Sequence, residues 1–415
     1  MTENQDNLIV GRLRPLVRSL RYRNYRLFFS GQLVSLIGTW MQSIAQAWLV
    51  YRLTGSALLL GLVAFASQIP VFLLAPIGGS MADRRSRYKI LIATQVCAMA
   101  LAFVLAGLTL SDRVSISAIF ILASLFGVVN AFDIPARQAF VVEMVGKTDL
   151  INAIALNSSM INGARIVGPA LAGVLVSSIG EGWCFFVNGV SYLAVIAGLL
   201  LMRIPRRSGH HDPGTMLTHV IDGFHFVAKN GPVRDMLLLL GVVSFTGMPY
   251  VVLMPIFADR ILHGGPMGLG ILMAATGIGA LAAALTLALR HGVDGLGRWT
   301  SWTAAGFGIA LILFSMSRSF WVSAALLLPA GFFMMLHMAV SNTLIQSRIP
   351  DHLRGRVMAV YTMMFVGMAP FGALFAGTVA HHWSAPAAIT LGGAACIAGA
   401  VLFRWGRSGP RQLES

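Results

Sequence analysis

The chain alternates between long runs of apolar residues and short polar segments. An α-helix rises 1.5 Å per residue, so about 20 apolar residues cross the roughly 30 Å of hydrocarbon in a bilayer. Every run of that length is therefore a predicted membrane span. The predicted spans 1 to 12 are 27–51, 57–81, 89–110, 115–138, 152–179, 183–203, 236–258, 267–289, 298–317, 320–345, 355–380 and 385–405.

The composition supports a membrane protein. Of 415 residues, 57% are hydrophobic and only 11% are charged, and a soluble protein needs a more polar surface than this allows. The 44 glycines suit close helix contacts in lipid. The cysteines Cys97, Cys184 and Cys396 all lie within apolar runs, so we expect no disulfide framework and no metal site.

The apolar runs fall into two halves that resemble each other. A shift of 204 residues places Gly168-Pro169 on Gly372-Ala373 and Gly173 on Gly377, each in the fifth span of its half. Such repeats are typical of secondary transporters with a site between the halves. We therefore predict an all-α integral membrane fold of twelve transmembrane helices in two pseudo-symmetric six-helix bundles. The predicted parts are an N-terminal segment (1–26), a first bundle (27–203), a linker (204–235), a second bundle (236–405) and a tail (406–415).

The linker has an apolar spacing that predicts a short helix lying on the membrane surface, either as a connector or as a partner site. The residues of that spacing are Leu217, Val220, Ile221, Phe224 and Val227.

The basic residues are unevenly distributed between the two sides of the predicted membrane. Only Arg52, Arg113, Arg260 and Arg318 fall on one side, Arg165 lies inside span 5, and the rest of the 30 Lys and Arg fall on the side of both termini. The positive-inside rule then predicts cytoplasmic termini for a multi-pass protein of a bacterial inner membrane. Because the net charge of +15 comes from these loops, we expect contact with lipid and none with nucleic acid.

The segment after span 2 combines a glycine, an acid and arginines at fixed spacing. Gly79 allows close packing, and Asp83 can cap a neighbouring helix N-terminus, where the dipole favours an anion. Arg84 and Arg87 are placed to bridge to acids on adjacent helices. The segment resembles motif A, a gating motif of the major facilitator superfamily, although Ser86 and Tyr88 stand where the family usually has glycine and a basic residue.

Asp133 lies in span 4, toward the side of the termini, at a depth where a carboxylate should be paired or protonated. The resemblance implies an ion pair with Arg84 or Arg87 that latches the inner side in the outward-facing state. A second role that fits is proton carrier.

Span 5 carries a glycine-rich kink around Gly163, Gly168, Pro169 and Gly173. A Gly-Pro pair flanked by glycines gives a kinked, smooth face against which another helix can rock. The pattern resembles motif C, the antiporter motif of the exporters in the superfamily, and a packing kink alone would produce it too. On the same span, Asn162 and Arg165 share a face with Ser158.

Arg165 is the one basic residue inside a span, and a guanidinium there needs a water-filled cavity or a counter-ion. It either binds an anionic group of a substrate or pairs with Asp133 or another acid. Both roles remain open at this point.

Two further features offer polar groups within spans. Span 1 has a polar stripe that either faces a cavity or bonds to a neighbouring helix; its residues are Gln32, Ser35, Thr39, Gln42 and Gln46. In span 10, His337 and Ser341 share a face, where the histidine serves either as a proton acceptor or as a hydrogen-bonded packing residue.

Within the superfamily, the chain is most similar to the bacterial branch of enterobactin-exporter-like proteins. The resemblance rests on residues 133–140, 164–173 and 354–358 and extends over about 20–405. It implies export of a siderophore, metabolite or drug-like compound by proton antiport, with a site near mid-membrane between spans 1, 4, 5, 7, 10 and 11.

The sequence contains no ATP-binding loop of the Gly-x-x-x-x-Gly-Lys-Ser/Thr type, so we expect no cofactor and a proton gradient as the energy source. We expect a monomer that works with an outer-membrane exit route. A lysophospholipid flippase of the same superfamily is the alternative function. A membrane-embedded acyltransferase is a weaker alternative, because the His, Asp and Glu residues are too scattered.

Overall fold

The computed structural model describes residues 18–146, 148–203, 224–290, 295–350 and 353–405, and twelve helices in these ranges are long and apolar enough to cross a membrane. This confirms the predicted spans. The helices are α1 (Arg23–Thr54), α2 (Ala57–Arg84), α3 (Arg87–Leu110), α4 (Ile116–Val145), α5 (Leu150–Ile179), α6 (Glu181–Leu200), α7 (Gly231–Ile261), α8 (Gly265–Ala288), α9 (Leu296–Met316), α10 (Phe320–Arg348), α11 (Arg354–His382) and α12 (Ala385–Trp405). The described ranges contain no β-strand.

Several helices extend beyond their apolar runs. α4 continues to Val145, whereas hydropathy predicted an end at 138, because a helix persists in the headgroup region where its polar side chains are solvated. The connections are correspondingly short. Gly55 directly follows the last residue of α1, and its φ of 58° terminates the helix. The hydroxyl of Ser56 then accepts a hydrogen bond from the Leu59 amide, which begins α2.

Two helices are irregular where the sequence predicted uniform spans. α7 contains π-helical segments at Val243–Gly247 and Phe257–Ile261. α11 is interrupted between Phe365 and Met368, one turn before Pro370, which cannot donate the hydrogen bond that would continue the helix. Such interruptions are common at functional hinges.

Extensive helix contacts join members of the same half: α2 with α4, α1 with α6 and α3 with α6 in the first, and α8 with α10 and α9 with α10 and α12 in the second. Between the halves, the largest contacts are α5 with α8 and α2 with α11. The fold is therefore two six-helix bundles, as predicted. Residues 204–223 of the predicted linker lie outside the described residues, and 224–229 are helical.

The predicted 204-residue repeat has a structural counterpart. A side-chain carbon on Gly173 would lie 3.1 Å from the Cα of Gly270 in α8, and one on Gly377 would lie 3.0 Å from the Cα of Gly61 in α2. These crossings are possible only because glycine lacks a side chain. Each repeat thus supplies one glycine crossing between the bundles.

The bundles meet on one side of the membrane and separate on the other. We call the side where α1 begins the terminal side and the other the opposite side. From the opposite side to mid-helix, α2 contacts α11 through Gly61, Phe65 and Phe72. Toward the terminal side, the same face of α2 continues through Pro76 and Gly79. Pro76 is exposed, and a side-chain carbon on Gly79 would meet nothing within 4 Å. The two bundles are therefore sealed on the opposite side.

A short 3-10 turn, Arg18–Arg21, attaches the start of the described chain to the loop before α5. Asp149 is 2% exposed and forms ion pairs with Arg18 and Arg21 at 2.7 Å each. It also accepts a hydrogen bond from the Tyr22 hydroxyl at 2.7 Å. The hydrogen bond from Tyr22, with the two arginine charges, holds the pKa of the Asp149 carboxyl below its usual range.

Asp149→Asn should release this turn at neutral pH, because it removes the charge that both arginines bind. A lowered pKa means that the attachment is present above about pH 4 and is lost as the pH falls further. A spin label at Arg23 should gain mobility in Asp149→Asn at pH 7 and, in the unsubstituted protein, only below about pH 4. Asp112→Asn, at an exposed turn on the opposite side, is the control. If the spin label at Arg23 is equally mobile in Asp112→Asn and Asp149→Asn, Asp149 does not attach the turn.

Candidate functional site

The glycine-rich part of α5 faces two helices, one from each bundle. Gly168 packs on α1, where a side-chain carbon would lie 2.5 Å from Trp40 Cβ, and Gly173 packs on α8. Gly163 faces open space. α5 is a continuous helix through Pro169, the position of the predicted kink. It presents a smooth surface to α8 across the bundle interface.

Arg165 lies near the middle of α5, at this interface. Its guanidinium stacks on the Trp40 ring at 5.1 Å, and its electrostatic neighbour on α7 is Tyr250. Its backbone carbonyl would lie 3.2 Å from a side-chain carbon on Gly277 of α8. No described carboxylate forms an ion pair with it. Of the two predicted roles, the acid pair is therefore absent from this structure.

Asp133 forms an ion pair with Arg137, one turn further along α4, at 2.6 Å. It also accepts hydrogen bonds from the side chains of Thr94 and Gln95, at 2.9 Å each. Asp133 is 3% exposed, so its charge is held inside the first bundle. The prediction that it pairs with Arg84 or Arg87 is not met in this arrangement of the bundles, in which Arg84 is exposed.

The partner of Arg87 on α4 is Glu143, at 2.8 Å, with a longer contact of 3.4 Å to Asp83. Sequence reasoning missed Glu143 because the apolar run ends before it, although α4 continues through it. It missed Arg137 because this residue, at the end of the predicted span 115–138, was counted with the loops, but the four-residue spacing from Asp133 was a usable signal.

The tight glycine of this motif is Gly78, and not Gly79 as predicted. A side-chain carbon on Gly78 would overlap the backbone carbonyl of Ala131 in α4, whereas one on Gly79 would meet nothing within 4 Å. Adjacent residues of a helix point in directions about 100° apart, so only one of the two can face α4.

The polar stripe of α1 faces its own bundle. Gln32 accepts a hydrogen bond from Arg137, Thr39 contacts the Tyr192 hydroxyl, and Gln42 accepts from Asn188 at 2.7 Å. These residues therefore bond to neighbouring helices, one of the two predicted roles, and Gln32, Ser35 and Thr39 also line a small cavity, which is the other. Gln46 lies one turn further toward the opposite side, half-buried.

A small cavity lies beside this stripe, within the first bundle. Its volume is about 40 Å³, enough for a few water molecules and too small for a drug-sized ligand. Asp133, Arg137 and Gln95 line it together with Gln32, Thr39 and Tyr192. The buried ion pair therefore has a polar space next to it that can hold water.

The other polar candidates are internal. Asn162 donates to the Ser158 carbonyl of its own helix. His337 is fully buried against α9, with Nδ1 at 3.2 Å from both the Thr300 carbonyl and the Thr303 hydroxyl. Such placement is that of a packing histidine, the second of its two predicted roles.

The opposite side is closed by a contact between charged and phenolic side chains. The hydroxyl of Tyr51, at the end of α1, donates to the Asp259 carboxylate at 2.7 Å, and Asp259 lies in the second π-helical segment of α7. Arg260 lies over the Tyr51 ring at 5.8 Å. This contact joins the two bundles, and no local sequence pattern predicts it because its partners are 208 residues apart.

Tyr51→Phe should shift the bundles toward separation on the opposite side by about tenfold. A hydrogen bond to a charged group contributes about 1.5 kcal/mol at the low end of its range, and only the closed arrangement contains this one. Spin labels at Ser111 and Ser319, measured by double electron–electron resonance, should report a larger population of long distances. Tyr361→Phe is the control, because its hydroxyl bonds to Met338 within one bundle. Equal distance distributions in Tyr51→Phe and Tyr361→Phe would show that the Tyr51–Asp259 hydrogen bond does not hold the bundles closed.

These features define a class: a multi-pass helical membrane protein whose two bundles are sealed on one side and enclose, at their interface, an arginine that forms no ion pair with a described residue. Residues 15–408 match the family described as transmembrane secretion effector. The chain belongs to this family of the major facilitator superfamily, so it is a transporter and not an enzyme.

Named relatives agree. The staphyloferrin A transporter of Staphylococcus aureus (strain NCTC 8325 / PS 47) is 28% identical over 357 residues, which cover 84% of this chain and 87% of that protein. The multidrug efflux pump Tap of Mycolicibacterium fortuitum is 26% identical over 355 residues, covering 83% and 86%. This chain is therefore similar to a siderophore transporter and to a multidrug efflux pump.

Solved structures share the fold. The nucleoside transporter NupG superposes with a TM-score of 0.67 at 12% identity, covering 92% of this chain and 97% of that one. A bacterial homologue of the human lysosomal transporter Spinster gives 0.68 at 15% identity, covering 92% and 94%. At such identities the likeness concerns the fold alone.

Proposed function

We propose that the protein exports a small organic molecule across the inner membrane by alternating access, driven by proton antiport. The observation that carries this proposal is the one-sided seal: the bundles meet from the opposite side to mid-helix and separate toward the terminal side. The excess of basic residues on the terminal side supports its assignment as cytoplasmic. The structure then corresponds to an inward-facing state that loads its substrate from the cytoplasm.

The contacts at the interface suit an exchange between two states. The glycine crossings of α5 with α8 and of α2 with α11 are smooth, so they permit the bundles to rock. On the terminal side, Arg87 lies beside Glu143 and Asp83 at the membrane surface, where a gate would close in the outward-facing state.

Asp133 is the proposed proton carrier. Acids within membrane helices mark proton routes when water can reach them, and the cavity beside Asp133 supplies that space. Protonation would release Arg137, which is the event that couples the proton to the movement of α4. The names of the relatives favour a siderophore or a drug-like compound as the substrate class.

The test is uptake into inside-out vesicles, which corresponds to export from the cell. A panel of catecholates, dyes and lysolipids is offered with and without a pH gradient. We expect uptake of at least one catecholate or dye that stops when nigericin collapses the gradient and that is lost in Asp133→Asn.

Gradient-independent uptake would overturn proton coupling. Unchanged gradient-driven uptake in both Asp133→Asn and Arg165→Ala would overturn the assignment of Asp133 as the proton carrier. Transport of lysolipids alone would indicate the flippase function instead. Asp112→Asn, which alters an acid in an exposed turn on the opposite side, is the matched control for Asp133→Asn.

A further inference from the structure

Arg165 is a cation without a counter-ion. Of the acids in the described residues, Asp133 pairs with Arg137, Glu143 and Asp83 with Arg87, Asp149 with Arg18 and Arg21, Glu181 with Arg52, Asp235 with Arg234, and Asp259 bonds to Tyr51. Asp112 lies in a turn on the opposite side, away from mid-membrane. An arginine stays charged at any physiological pH, and no acid among the described residues balances the charge of Arg165 in an ion pair.

The surroundings of Arg165 come from both bundles. Trp40 of α1 offers its ring face, and Tyr250 of α7 contributes a phenol that is 2% exposed. The Tyr250 hydroxyl forms no hydrogen bond of normal geometry among the described residues, although Thr276 of α8 interacts with it. A buried phenol with only this weak partner can donate a hydrogen bond to a ligand.

Access to Arg165 is from the terminal side. One and two turns before it on α5, Asn162 and Ser158 lie on the same face, and Ser158 is exposed. On the other side of Arg165, the crossing of Gly173 and Gly270 closes the interface. A polar strip on α5 therefore leads from the terminal side to the guanidinium and ends there.

We infer that Arg165 binds a carboxylate of the transported molecule, with Tyr250 as a second donor and Trp40 as an apolar wall. This assigns the substrate as an organic anion, and it rests on the proposed transport function. A guanidinium binds a carboxylate through two parallel hydrogen bonds, which are stronger than neutral ones. The ligand would touch α1 and α5 of the first bundle and α7 of the second. Its binding would therefore affect how the two bundles pack against each other.

The experiment measures binding of a matched set of probes to the purified full-length protein by isothermal titration calorimetry. The probes are 1-naphthoate, its neutral isostere 1-naphthamide, and 1-naphthyl phosphate. We expect 1-naphthoate to bind at least tenfold more tightly than 1-naphthamide. Arg165→Gln should remove this preference, Arg165→Lys should reduce it several-fold by removing the paired hydrogen bonds, and Tyr250→Phe should weaken 1-naphthoate a few-fold.

The control is Arg113→Gln, which removes an exposed arginine in a turn on the opposite side and should leave the preference unchanged. Equal binding of 1-naphthoate and 1-naphthamide, or a preference that survives Arg165→Gln, would overturn the anion site. Tighter binding of 1-naphthyl phosphate would replace the carboxylate by a phosphoryl group and overturn the assignment. None of these results would bear on gradient-driven uptake of a neutral dye, so failure here is distinguishable from failure of the transport proposal.

Discussion

Asp133→Ala should destabilise the protein by about 3 kcal/mol. It leaves the Arg137 guanidinium without its partner at 2.6 Å and removes the acceptor of Thr94 and Gln95. Breaking a buried ion pair from one side costs about 3–5 kcal/mol, and Arg137 retains some exposure, which places the effect at the lower end. The measurement is the thermal unfolding midpoint of the purified protein in detergent, with denaturant unfolding for the free energy.

Two further variants separate charge from packing. Glu143→Ala breaks an ion pair whose partners are 25% and 29% exposed, and it should cost no more than about 1 kcal/mol. Asp133→Ala combined with Arg137→Leu should recover part of the loss, because no uncompensated charge remains. A double variant as unstable as Asp133→Ala alone would show that the charge of Arg137 is not the cause.

The features that the sequence predicted correctly are those set by the bilayer. The hydrocarbon thickness fixes the minimum length of an apolar run, so all twelve helices were found from hydropathy. The 204-residue shift was also informative, because glycines that allow a close crossing cannot be replaced by larger residues. Gly173 and Gly377 are such a pair, and each indeed contacts a glycine of the other bundle.

The features that the sequence did not predict depend on which side of a helix a residue faces. Gly78 and Gly79 are chemically identical, and only packing against Ala131 distinguishes them. The polar stripe of α1 has the same spacing whether it faces a cavity or the side chains of neighbouring helices, and in the structure it does both. Similarly, Tyr51 and Asp259 meet because two bundles close, and no local pattern records such a contact.

The sequence left two roles open for each of Asp133 and Arg165, and the contacts in the structure narrow that choice. Hydropathy marked both as charges inside spans, and the resemblance suggested an arginine from motif A as the partner of the acid. The structure instead gives Asp133 a partner on its own helix and gives Arg165 none among the described residues. The pairing within α4 was hidden because Arg137 was counted as a loop residue. With Asp133 paired to Arg137, no acid of the described residues near mid-membrane is left for Arg165, which is why we propose an anionic ligand as its partner.

Gly78→Val should also destabilise the protein by about 3 kcal/mol, whereas Gly79→Val should be nearly neutral. The added side chain of Gly78→Val overlaps the Ala131 carbonyl, a backbone atom that cannot move without displacing α4. Overpacking of this kind typically costs 1–3 kcal/mol, and a rigid backbone neighbour places the cost at the upper end. The same substitution at Gly79 enters open space and has the same effect on helix propensity, so the difference between the two midpoints of thermal unfolding isolates the α2–α4 contact. Equal midpoints would mean that α2 and α4 do not pack as described, and a larger loss for Gly79→Val would mean that α2 is rotated about its axis.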